Sequence, residues 1–202
     1  MEFLYQNGLA FAKAGARVAI VAHDYYPSVQ KLFAMPVEVY KFPYELDPFS
    51  LTRCSNFGLR QAGQGIIVKT DIDCVITPAA LSEIANVRPG ESLYYKYHMA
   101  PSYYDFARAR LWEAGSGTVA MHWCDWDAAG GYDQRLEGYC SDDADMVSRA
   151  PKPRRGDGRV YHVSPPGKRF WNRETINPLN RKHCAEVRAA GNYQRTEDWG
   201  IF

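Results

Sequence analysis

The chain has 202 residues, of which 46% are hydrophobic and 14% aromatic: enough apolar material for one domain, or one domain with a tail, and too much for general disorder. Its net charge of +1 is unevenly placed, because residues 151–202 hold eleven Lys and Arg against five Asp and Glu while the rest balances at −5, a split that suits anion handling where the two meet or a solvated basic tail. No apolar run approaches the roughly 20 residues of a membrane span, the N-terminus lacks the basic start and unbroken apolar core of a signal peptide, and five cysteines without CxxC spacing (Cys54, Cys74, Cys124, Cys140, Cys184) fit free thiols in a reducing, cytoplasmic compartment.

In chain order, residues 3–15 carry apolar positions suited to a helix stopped by Gly15. ARVAIVAHD (16–24) is an apolar β run ending at an acid. A short helix is expected over 28–34, a strand over PVEVYKFP (36–43), and a helix over 50–62 that Gly63 ends. GIIVKTDIDCVI (65–76) reads as one strand broken at its end by acids, after which Pro78 opens a helix at a position proline tolerates. ESLYYKYHMA (91–100) reads as a strand, YYDFARARLWEAG (103–115) as a helix, and GTVAMHWCDWDAAGGYD (117–133) as a strand and a turn. SDDADMVSRA (141–150) is a capped helix start and RVYHVS (159–164) a last short strand; from there the chain is polar, basic and dotted with Pro and Asn. Strands alternating with helices imply an α/β sheet with covered faces. Ligands in such sheets collect at the carboxyl ends of strands, where Asp24, Asp71 with Asp73, and the acids of 133–145 fall.

Three stretches carry chemistry. TDID (70–73) puts two carboxylates after an apolar strand; if the chain turns there, one can hold a hard divalent ion while the other meets sugar hydroxyls. GGYDQRLEGYCSDDADMVSRA (130–150) sets Asp133, Asp142, Asp143 and Asp145 behind a glycine turn, a pattern open to a helix start, a metal site or a general base. VYHVSPPGKRFWN (160–172) places His162 on a strand before a basic loop; alone it is an ordinary structural histidine or a ligand.

Together these stretches resemble the nucleotide-sugar glycosyltransferases of the GT-A fold, family 2 and the galactosyltransferase C-terminal module in particular. Asn56, Gly58, Ala62, Gly63, Asp71, Asp73 and Pro78 stand at the places of an Asn-x-Gly helix, A-x-G, a DxD-ended strand and a Pro-opened helix. Gly130, Gly131, Tyr132 and Asp133, then Gly138, Tyr139, Asp142, Asp143 and Asp145, match the two halves of a GG-[YFW]-D-E…GW-GG-E-D-x-D signature. Gln134, Tyr139 and Asp142 depart from its Glu, Trp and Glu, and Cys140 and Ser141 replace two glycines. The N-terminal strand that usually opens family 2 chains is not matched, so the resemblance implies a minimal version of the fold.

The resemblance implies a catalytic domain over 1–172 and a basic extension over 173–202, packed on it or trailing. It implies a hexosyltransferase-like enzyme that uses Mn²⁺ or Mg²⁺ and a nucleotide-diphosphate sugar, a UDP-sugar by default. Asp73, His162 and Asp71 would hold the ion. Asp24, Arg53, Asn56, Asp71, Lys168 and Arg169 would meet the donor. Asp143 would be the general base of an inverting reaction, and Asp142 would bind the acceptor hydroxyl. Asp145 would cap the helix start and Asp133 would support the turn. Trp123, Trp126 and Tyr139 are candidates for stacking on a sugar. The acceptor implied is a saccharide or glycoconjugate. The basic C-terminal segment keeps hydroxymethylated DNA of viral type as an alternative acceptor, and the short N-terminus keeps a non-catalytic nucleotide-sugar or glycan-binding module as another.

Overall fold

The structure, a computed structural model, describes residues 15–22, 37–43, 50–101, 105–138, 141–163, 173–194 and 196–200. The helices expected over 3–15 and 28–34 lie outside them. Strands β1 (Val18–Ala22) and β2 (Val37–Lys41) pair in parallel, Val18 opposite Val37, and helix α1 (Leu51–Ala62) packs on β1. Ser50 caps α1 by accepting the Arg53 N–H, and Gly63 ends it in the left-handed conformation.

The main sheet takes β3 (Ile66–Lys69), β4 (Cys74–Ile76), β5 (Ser92–Ala100), β6 (Arg110–His122), β7 (Pro153–Arg155) and β8 (Val160–Val163). Its order is β3-β6-β5-β8-β4, with β7 pairing the start of β5. GIIVKTDIDCVI is therefore two strands, not one. β3 runs antiparallel to β6 and β4 antiparallel to β8, so the TDID segment carries the chain over β5 from one side of the sheet to the other. The acids themselves break the strand: the Cys74 N–H turns back to the Asp71 carbonyl at 3.1 Å.

Period-two alternation sends neighbouring side chains to opposite faces, and two cores result. Tyr95, Tyr97, Ala120 and Val160 pack on one face against Ala80 and Ile84 of α2 (Pro78–Ile84). Ile67, Val119 and Met121 pack on the other against Leu59 of α1, Trp126 of α3 (Trp123–Ala128) and Met146 of α4 (Asp142–Arg149). Trp199 enters this second core with no exposed surface. It follows a 3₁₀ turn (Thr196–Asp198) and helix α5 (Arg173–Ala190).

Three elements differ from the expectation. Residues 110–115 belong to β6, not to a helix over 103–115, because β5 needs a partner along its whole length; pairing overrides the helical propensity of ARARLWEA. The register jumps from Lys96–Ser116 to Tyr97–Trp112, so β6 bulges between. WCDWDA forms α3 where a turn was read, and the basic tail contains the 18-residue α5. No helix among the described residues is long and apolar enough to cross a membrane.

Candidate active site

Asp71, Asp73 and His162 converge: one ligand atom from each lies within 4.8 Å of the others. Asp71 and Asp73 come from the crossing between β3 and β4, and His162 from β8, whose register sets it opposite Cys74. His162 Nε2 sits 3.3 Å from Asp73 Oδ2, while Nδ1 is enclosed without a hydrogen-bond partner among the described residues. Two carboxylates and an imidazole suit a divalent cation of the Mn²⁺ type.

The residues beneath this trio were not read from the sequence. The buried Tyr97 hydroxyl donates to Asp71 Oδ2 at 2.5 Å, and its ring lies 4.8 Å from the His162 ring, so one β5 side chain fixes two candidate ligands. A Cβ at position 117 would run into the Tyr97 hydroxyl and Asp71 Oδ2; only glycine leaves that space.

Lys69, the last residue of β3, is 8% exposed. Its Nζ donates to Asp71 Oδ1 at 2.9 Å and to Asp143 Oδ1 at 3.2 Å. The Tyr132 hydroxyl donates to the same Asp143 oxygen at 2.9 Å. Asp143 thus faces the trio from α4 across a single ammonium. Burial works against the Lys69 charge, but Asp143 and Asp71 outweigh it and hold the amine well above its ordinary pKa. Burial also pushes the Asp71 carboxyl up, and here Lys69 and the Tyr97 hydroxyl prevail, leaving it below the usual range. Asp143 goes the other way: burial raises it to about 8, Asp142 and Asp71 add to the rise, and Lys69 opposes it. Asp142, at the first position of α4, is raised by burial as well. Lys69 holds Asp71 ionised, while burial pushes Asp142 and Asp143 toward their neutral forms, a rise that a bound cation would oppose.

The remaining acids do other work. Asp145 makes a buried ion pair with Arg149 at 2.8 Å, and Arg149 also donates to the Ala129 carbonyl; Asp145 braces α4 against the glycine turn instead of capping it. Asp133 accepts a bidentate Arg135 contact (2.8 and 2.7 Å) and meets His183 Nε2 of α5 at 3.1 Å. Asn56 is fully buried, with Nδ2 donating to the Tyr132 carbonyl and Oδ1 accepting the Tyr132 N–H, both at 2.8 Å. Its amide is consumed by the turn that presents Tyr132, which makes it a positioning residue in this geometry. Gly131 allows the close approach, since φ is +59° and a Cβ would strike Trp199. Arg53 is exposed on the first turn of α1. Asp24, Lys168, Arg169 and Tyr139 lie outside the described residues. Trp126 is core, donating its indole N–H to the Ile67 carbonyl at 3.3 Å, and Trp123 tilts against Trp199.

No family model matches the chain, and no curated protein sequence matches it. Solved structures do. A structure of GalNAc-T7 with UDP, GalNAc and Mn²⁺ superposes with a TM-score of 0.60 at 11% identity, over 87% of this chain. The mannosyltransferase PcManGT from Pyrobaculum calidifontis, in complex with GDP-Man and Mn²⁺, gives 0.60 at 14% identity over 95%. The fold is GT-A. The chain spans 42% of the first neighbour's length and 61% of the second's. Within this GT-A fold, Asp71, Asp73, Asp143 and His162 come together from three separate stretches of the sequence.

Proposed function

We propose that the protein is a metal-dependent glycosyltransferase that moves a sugar from a nucleotide-diphosphate sugar to an acceptor hydroxyl. The observation that carries this reading is the convergence of Asp71, Asp73 and His162 within 4.8 Å, with a buried carboxylate, Asp143, facing them across Lys69. The two fold neighbours hold Mn²⁺ together with UDP in one case and GDP-Man in the other, which supports a divalent ion and a nucleotide-sugar donor here. Asp71, Asp73 and His162 would hold the ion, and an ion so held neutralises charge that develops on the leaving diphosphate.

The chain's own residues do the rest. Tyr97 and Lys69 keep the Asp71 oxygens aimed, so little reorganisation is required when the donor binds. Tyr132 donates to Asp143 Oδ1 and Lys69 reaches both carboxylate oxygens, at 3.2 and 3.4 Å; in its ionised form Asp143 takes the proton of the acceptor hydroxyl as its oxygen attacks the anomeric carbon. The bond from that carbon to the diphosphate oxygen breaks as the new glycosidic bond forms, and the electron pair leaves with the diphosphate. A base opposite the leaving group gives inversion. Asp142 orients the acceptor. Arg53, with Asp24, Lys168 and Arg169, belongs to donor binding, and UDP is the nucleotide we favour. Free thiols at Cys54, Cys74, Cys124 and Cys184 support a reducing, cytoplasmic setting.

The acceptor we favour is a saccharide or glycoconjugate. Exposed Lys152, Arg154, Arg155 and Arg159 support hydroxymethylated DNA as a second reading. The deciding experiment is a donor screen with UDP-, GDP- and dTDP-sugars and Mn²⁺, followed by transfer assays on both acceptor classes. We expect Mn²⁺-dependent donor turnover that Asp143→Asn abolishes while donor binding survives. A donor that binds with Mn²⁺ yet never turns over would make the protein a binding module instead.

A further inference from the structure

On β5 the alternation that turns Tyr95 and Tyr97 toward α2 and the candidate metal ligands turns Lys96 and His98 to the opposite face. There they line a pocket of about 250 Å³ with Arg155, Gly156, Asp157, Gly158 and Arg159. Three permanent cations meet one carboxylate inside it. Neither Lys96 nor Arg159 has an acidic ion-pair partner among the described residues, and Arg155 reaches only the exposed Glu113, at 3.3 Å. His98, half-buried, borders the same cavity.

The turn that presents the two arginines is held in place. Glu83 of α2 accepts the Asp157 N–H at 3.1 Å and the Gly158 N–H at 2.8 Å. Thr77 donates both its N–H and its hydroxyl to the Arg159 carbonyl, at 3.2 and 2.9 Å, and the Gly156 N–H bonds to the Tyr94 carbonyl at 3.0 Å. A Cβ at 156 would strike Tyr95 and one at 158 would strike Ala80, so the turn lies flush on the sheet and α2. The cationic side chains are flexible, but their anchor points are not. Guanidinium forks and an ammonium around a cavity of this size match the charge and oxygen geometry of a phosphate group.

We infer that the pocket between β5 and the β7–β8 turn is a phosphate-binding site, separate from the metal-centred one on the other face of the sheet. Its ligand is a phosphate ester, either a small phosphorylated molecule or one phosphate of a nucleic-acid backbone. The inference stands on Lys96, His98, Arg155 and Arg159 and does not depend on the transfer reaction.

The test follows the ¹⁵N-labelled histidine rings of the full chain by NMR while inorganic phosphate is added without divalent metal, and repeats the titration with a short single-stranded oligonucleotide. We expect saturable shifts of the His98 ring, with His162 little changed, and affinity for phosphate falling about tenfold or more in Arg159→Ala and again in Lys96→Met. An oligonucleotide that binds more tightly than phosphate, and that phosphate displaces, assigns the ligand to nucleic acid. One that leaves the His98 signal unmoved assigns it to a small phosphate ester. Absence of any saturable shift at His98, or equal affinity in the variants, overturns the inference. Retained Mn²⁺ binding in the variants shows that they are folded, and a loss of phosphate binding beside intact Mn²⁺ and donor binding would leave the transferase reading untouched.

Discussion

Replacing Lys69 with methionine keeps the length of the side chain and deletes the ammonium that meets Asp71 and Asp143. Above about pH 8, where Asp143 is ionised as well as Asp71, contacts of 2.9 and 3.2 Å at an effective dielectric of about 20 correspond to roughly 5 kcal/mol each before desolvation is charged against them. Breaking a buried pair by removing one partner costs about 3–5 kcal/mol net, because the abandoned carboxylates stay buried. For a chain of this size that is a fall in Tm of roughly 6–20 °C. A divalent cation can replace part of the missing charge, so the deficit should shrink on adding Mn²⁺; saturation at about 100 times its Kd contributes about 2.7 kcal/mol to any folded state that binds it. Urea unfolding of wild type and Lys69→Met, each with EDTA and with Mn²⁺, reads all four values. A loss below about 1 kcal/mol in EDTA, or a deficit that Mn²⁺ leaves unchanged, would show that Lys69 does not balance the acids.

Further expectations concern the same neighbourhood. Tyr97→Phe keeps the ring against His162 and removes the hydrogen bond to Asp71; Mn²⁺ affinity, followed by the free-ion EPR signal, should fall about 10–100-fold, and an unchanged titration would remove Tyr97 from the ligand shell's support. Asp143 binds its proton more tightly in the folded chain, with a pKa of about 8 against an ordinary value near 3.8. Its contribution to stability is therefore full below about pH 4 and is lost as the pH rises toward 8. Metal-free wild type should lose stability across that window more steeply than Asp143→Asn; parallel pH curves would contradict the burial of this carboxyl. Trp199→Ala should cost about 3–5 kcal/mol in urea unfolding, since the side chain is fully buried and carries Arg60 4.0 Å above its ring, whereas a neutral substitution would mean that the C-terminal turn is not part of the core.

Much of the arrangement was legible from local chemistry. Gly63 ends α1, Pro78 opens α2 and DDADMVSR forms α4, because such signals depend on a few adjacent residues; the cap expected at Ser141 is not made, since that residue is left-handed (φ +70°) with no side-chain bond to the helix. The pairing of TDID with His162 was legible as a resemblance, and the geometry brings these residues within reach of one another. The helix read over 103–115 was not a failure of local propensity. That segment is a strand because β5 lies beside it, a fact no window of sequence contains.

By itself the sequence determined which acids and which histidine were available, where α1 ends and α2 begins, and that strands and helices would be mixed. Tertiary structure decided how those groups share charge. Lys69 looked like the polar end of an apolar strand, Tyr97 like one of several β tyrosines, and Gly117 like the start of a strand. The long-range register of β3, β6 and β5 puts the three around Asp71, and the helix carrying Asp143 completes the arrangement from the far side of Lys69. It also divides the acids of 133–145: Asp143 faces Lys69, while Asp133 and Asp145 are taken by Arg135, His183 and Arg149. The reason is physical. A carboxylate's role depends on the burial and charge around it, and both are set by strands that are distant in the chain.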